Sequence, residues 1–111
     1  MQTIVNAIGG VLAKSTSPRT APIFNPATGE QAAILPLSTK AELDAAVAAA
    51  KLALPAWAEM PPMRRARFMF RFKQLLDENV DRIASAISAE HGKTHADAVG
   101  EVQRGIEAVD F

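Results

Sequence analysis

The feature that most constrains this chain is an apolar stripe too wide for the residues around it. Ala66, Met69, Phe72, Leu76, Val80, Ile83 and Ile87 recur at intervals of three and four. That spacing is one face of an α-helix. Phe68 and Leu75 widen the stripe on one side, and Phe70 stands apart from it. The pattern predicts one long helix over residues 62–90, with Pro62 in the first turn, where its missing N–H is not needed. The helix before it is shorter. Thr39 and Glu42 form a capping box, and Leu43, Val47, Ala50, Leu54 and Trp57 make a single face. Pro55 is expected to limit this helix and leave Trp57 in the exit turn, ahead of a break at Met60-Pro61-Pro62. So many large side chains need several partners, and the short helix is a modest one. A second apolar surface is expected that these residues do not contain.

Gly92 is placed to stop the long helix as a left-handed C′ residue. Thr94 can cap a third helix, with Asp97 in its first turn. Val99, Val102, Ile106 and Val109 are its stripe, and that stripe is still running at Phe111. The chain therefore reads as a fragment. The front is different in kind. Residues 1–37 carry Gly9, Gly10, Pro18, Pro22, Pro26, Gly29 and Pro36 between short β-favouring runs. Strands are expected over residues 7–12, 21–24 and 31–35, with a loop at 15–18 and a turn at 25–29. The expected organisation is a β hairpin-like segment, 1–37, followed by a helical part, 38–111, with three helices. Alone such a hairpin is marginal, so it should lie on something else.

Composition narrows the function. Twelve basic and twelve acidic residues cancel, so no long-range field draws nucleic acid or an anionic membrane. No apolar run is long enough to span a bilayer. Residues 1–12 lack the charged start and unbroken apolar stretch of a secretory signal. There is no cysteine, which removes disulfides, thiolate metal sites and a thiol nucleophile from these residues. It is also in keeping with a cytoplasmic protein.

Candidate chemistry is sparse. Gly9-Gly10 reads as a strand-connecting turn rather than a phosphate turn. His91 and His95 are four apart, but Gly92 lies between them and no third ligand is evident; His95 aligns with the apolar stripe and reads as packed. Arg64, Arg65, Arg67, Arg71 and Lys73 make a local basic end, followed soon by Asp77, Glu78 and Asp81. They read as a solvated face or as salt bridges to a neighbouring domain or subunit. Trp57, Phe68, Phe70 and Phe72 sit at helical spacing and read as core rather than as a stacking platform. Arg104 falls about opposite the last stripe, one turn from Glu101. On the residues alone it is an exposed helix arginine.

Taken in order, these segments resemble the aldehyde dehydrogenase family. Phe24-Asn25-Pro26-Ala27-Thr28-Gly29-Glu30 is similar to the family's early N-P-A-T-G-E signature. Ala45-Ala46-Val47-Ala48-Ala49-Ala50-Lys51, then Pro55-Ala56-Trp57-Ala58, is similar to its alanine-rich helix ending in tryptophan. Residues 64–67 and Glu90-His91-Gly92-Lys93 match the next helix and its E-x-G-K end. Within the family, Gly100-Glu101-Val102-Gln103-Arg104-Gly105, with Gly92-Lys93-Thr94, Ala96-Asp97-Ala98 and Phe70-Arg71-Phe72-Lys73-Gln74-Leu75-Leu76, resembles the methylmalonate-semialdehyde dehydrogenase branch.

The resemblance implies an α/β fold in the intact protein and a small-molecule semialdehyde substrate. It implies NAD-dependent, CoA-acylating oxidation of malonate or methylmalonate semialdehyde to acetyl-CoA or propionyl-CoA, with loss of carbon dioxide. It also implies a homo-oligomer. Arg104 matches the position the family associates with the substrate's carboxylate, which a guanidinium can grip with two hydrogen bonds. The family's cysteine nucleophile and nucleotide-contacting motifs match nothing in these residues, so no catalytic, cofactor or metal residue is assigned here. The fragment alone is expected to be inactive. Two alternatives stay open: a branch that releases a free acid, and a non-catalytic helical interaction module.

Overall fold

A computed structural model of the chain describes residues 1–111. It resolves into two compact units, one of residues 1–24 with 30–59 and one of residues 25–29 with 60–111.

The first unit holds five short strands and a helix. β1 is Gln2–Thr3, β2 Asn6–Ile8, β3 Val11–Ala13, β4 Thr20–Phe24 and β5 Gln31–Pro36; α1 is Lys40–Glu59. One sheet has the order β1-β5-β4, with β1 parallel to β5 and β4 antiparallel to it. The other is the antiparallel pair β2-β3, with Ile8 opposite Val11. The single strand expected over residues 7–12 is thus a hairpin. Gly9 and Gly10 take φ of 60° and 81°, a left-handed turn that glycine enters without steric cost. β1 gave no sequence signal, because two residues show no periodicity.

α1 runs past the proline expected to limit it, and Trp57 is helical. Pro55 removes one N–H, but Lys51, whose carbonyl it would have met, is exposed and water can take that carbonyl. The capping box forms: the Thr39 N–H donates to Glu42 at 2.7 Å and the Glu42 N–H donates to the Thr39 hydroxyl at 3.2 Å. The same carboxylate takes the Thr16 N–H at 2.6 Å and the Ser15 hydroxyl at 2.9 Å. It therefore pins the 14–17 loop to the start of α1. Leu43, Val47, Leu54 and Trp57 are 42–61% exposed, so the face read from spacing is present but not buried.

The second unit is helical: α2 Pro62–Glu78, α3 Val80–His91 and α4 His95–Asp110. The one helix expected over residues 62–90 is two, which makes four helices where three were expected. Asn79 is the break. Its side-chain amide donates to the Leu75 carbonyl at 2.8 Å, and its N–H turns to Leu76 at 3.1 Å. An asparagine that competes for backbone partners ends a helix in this way. Beyond the break the periodicity resumes: Leu76, Val80, Ile83, Ile87 and Val99 pack around Ala84, Ala98, Val102 and Ile106. Before it, Phe68, Met69, Phe70, Phe72 and Leu75 remain 41–65% exposed. The aromatic residues read as core are surface here, because this unit has no layer to cover them.

The Glu42 carboxyl is lowered from its ordinary 4.5 to about 2, chiefly by the Thr39 and Thr16 amides. A depressed folded value stabilises the fold above the ordinary value, and that contribution is lost as pH falls from 4.5 toward 2. Glu42→Gln in the intact protein should therefore lower the thermal midpoint at pH 7, and the gap to the parent should narrow across that window. A gap that stays constant with pH contradicts the assignment.

Candidate functional site

The candidate site is the outward face of α4. Thr94 caps that helix, its hydroxyl accepting from the Asp97 N–H at 3.3 Å as the sequence implies. Ala98, Val102 and Ile106 are buried against α3. At 3.6 residues per turn, Arg104 then points away from the packed face. Its side chain is 69% exposed. It lies over Gly100, where an added Cβ would sit 3.7 Å from Nη1, an ordinary contact.

Two further charges meet beside it. Gly92 ends α3 at φ 81°, and its N–H donates to the Ser88 carbonyl at 2.9 Å. The next residue, Lys93, reaches along α4 and places Nζ 2.5 Å from Glu101 Oε1. Arg104 Nη2 is 3.9 Å from that same oxygen. The Lys93 hydrogen bond is the main cause holding the Glu101 carboxyl below its ordinary value; partial burial opposes it, and the charges of Lys93, Arg104 and His91 assist. Glu101 is thus committed to Lys93. Arg104 pairs with the same carboxylate, as the spacing allows, but only at the outer limit of an ion pair, and its side chain stays largely exposed. An exposed guanidinium in that state can take a carboxylate through two parallel hydrogen bonds.

The other sequence candidates fall elsewhere. Arg64, Arg67 and Arg71 line a shallow depression with Phe68. Arg71 lies 4.0 Å from Glu78, and Lys73 pairs with Asp77 at 3.2 Å. These are surface pairs, as read from the alternation of charge. His95 does not pack as expected. It is exposed, with Nε2 3.4 Å from Asp81 Oδ1, because the stripe it aligns with is filled by Ala98 and Val102. The convergence of Lys93 on Glu101 was not read from the sequence. The pair is eight residues apart across a loop, and the one available signal was a lysine directly after a C′ glycine.

The aldehyde dehydrogenase family profile matches residues 12–111. The chain belongs to the aldehyde dehydrogenase family. It is 53% identical over 110 residues to malonate-semialdehyde dehydrogenase 3 of Geobacillus kaustophilus HTA426, covering 99% of this chain and 23% of that protein. It is 46% identical over 111 residues to malonate-semialdehyde dehydrogenase of Pseudomonas aeruginosa PAO1, covering all of this chain and 22% of that protein. Among solved structures, a Sinorhizobium meliloti 1021 protein of the methylmalonate-semialdehyde dehydrogenase type, in complex with NAD, superposes with a TM-score of 0.95 at 45% identity. That match covers all of this chain and 23% of the other. An NAD-dependent benzaldehyde dehydrogenase from Corynebacterium glutamicum gives 0.89 at 28%, over 95% of this chain and 23% of that one. The chain thus spans under a quarter of the length of these relatives.

Gly92→Ala should destabilise the protein by about 1–2 kcal/mol, the cost of a left-handed L-residue. Its Cβ would also meet the Pro26 ring at 3.2 Å. Denaturant unfolding of the intact protein checks this; an unchanged midpoint contradicts it.

Proposed function

We propose that these residues are the N-terminal part of an NAD-dependent, CoA-acylating malonate- or methylmalonate-semialdehyde dehydrogenase, and that Arg104 binds the substrate's carboxylate. The observation that carries the reading is the exposed guanidinium of Arg104 on the outward face of α4, held only by a long pair to Glu101 at 3.9 Å. The relatives support it: identity is 45–53% to three proteins named for carboxylated semialdehydes and 28% to the one named for benzaldehyde.

The division of labour follows from composition. With no cysteine here, a thiol nucleophile must come from the rest of the protein. NAD accepts the hydride and CoA takes the acyl group in the proposed reaction. No residue of this chain is assigned to either group; the adjacent glycines form a β2-β3 hairpin turn, which offers a phosphate no helix N-terminus. These residues contribute substrate orientation, and the fragment alone is inactive. The intact protein is proposed to be a cytoplasmic homo-oligomer.

Arg104→Ala in the intact enzyme should lower kcat/KM for malonate semialdehyde about 10- to 100-fold relative to propanal. That is the worth of a hydrogen bond to a charged group. Equal losses for the two aldehydes would point instead to a branch acting on uncharged substrates.

A further inference from the structure

Glu101 and Arg104 are three residues apart on one helix, the spacing at which opposite charges pair. A fully paired Arg104 would have its donors occupied, and a substrate carboxylate would have to displace Glu101 to reach them. The geometry shows a different outcome. Lys93 Nζ lies 2.5 Å from Glu101 Oε1, and Arg104 Nη2 lies 3.9 Å from the same atom. The Lys93 side chain is 20% exposed and the Arg104 side chain 69%, so the lysine pair is the less screened of the two. Lys93 is fixed from both sides. The left-handed Gly92 directs it out of α3, and the Thr94 cap starts α4 immediately after it.

We infer that Lys93 is a positioning residue, which holds Glu101 so that the Arg104 guanidinium stays free for the carboxylate of the substrate. The inference rests on the carboxylate role proposed above for Arg104. Lys93 touches no substrate in this account; it removes an internal competitor. Without it, Glu101 turns to Arg104 and acts as a tethered carboxylate in the substrate's place.

The test uses the intact enzyme, with malonate semialdehyde and propanal as the paired substrates. Lys93→Met keeps the length of the side chain and removes its charge. The ratio of kcat/KM for malonate semialdehyde over propanal should fall roughly tenfold, mostly through KM, as expected for one charged hydrogen bond lost to competition. Lys93→Arg should keep the ratio. Adding Glu101→Gln to Lys93→Met should restore it, which a purely structural role for Lys93 does not predict. Equal losses for both substrates, or no restoration in the double variant, overturn the inference. Arg104→Ala separates the two levels. If it shifts the ratio and Lys93→Met does not, only the positioning role fails. If Arg104→Ala leaves the ratio unchanged, the carboxylate reading fails and the positioning role with it.

Discussion

The packing of α3 on α4 is the constraint on which the candidate site depends. Ala84 and Ala98 are fully buried where these helices meet, and Val102 and Ile106 fill the space beside them. Small residues at the contact let the two backbones approach, and the larger ones supply most of the apolar burial. Once that face of α4 is committed, helical geometry decides where everything else on it points. Arg104 is turned outward, Glu101 lies to one side, and the loop over residues 92–94 brings Lys93 down onto Glu101. A surface arginine would ordinarily be of little account. This one is notable because its natural helical partner is already engaged.

A carboxylate with several directional partners also organises the first unit. Glu42 closes the capping box of α1 and, with the same two oxygens, holds the backbone and hydroxyl groups of Ser15 and Thr16. A segment with little regular structure is thereby fixed to a helix start.

Much of this was legible in the residues. Alternation of three and four located the packed faces of α3 and α4, at Val80, Ile83, Ile87, Val102 and Ile106. Thr39 with Glu42, and Gly92 with Thr94, marked helix ends that the structure confirms atom by atom. The order of strands followed by helices was also readable, because glycine and proline crowd the front of the chain. What failed was set by competition between neighbouring signals. Asn79 sits inside an unbroken apolar rhythm, so the stripe masked the break that its side-chain hydrogen bond creates. Pro55 looked like a stop, yet it costs a single hydrogen bond on an exposed helix. At the site, Arg104 was visible as an outward charge one turn from Glu101 and through the family resemblance. The Lys93 contact was not, since it depends on the path of a short loop rather than on any spacing along a helix.

The apolar face of α2, for which the sequence expects a further surface, is exposed. The carboxylate-binding role proposed for Arg104 rests on its outward position on α4. Its most direct test is a crystal structure of the intact protein with 3-hydroxypropanoate, an unreactive analogue of malonate semialdehyde. The ligand's carboxylate is expected within about 2.7–2.9 Å of the Arg104 guanidinium nitrogens, the distance of a charge-assisted hydrogen bond, with Lys93 still on Glu101. A carboxylate bound elsewhere, with Arg104 left in solvent or closed onto Glu101, would contradict it.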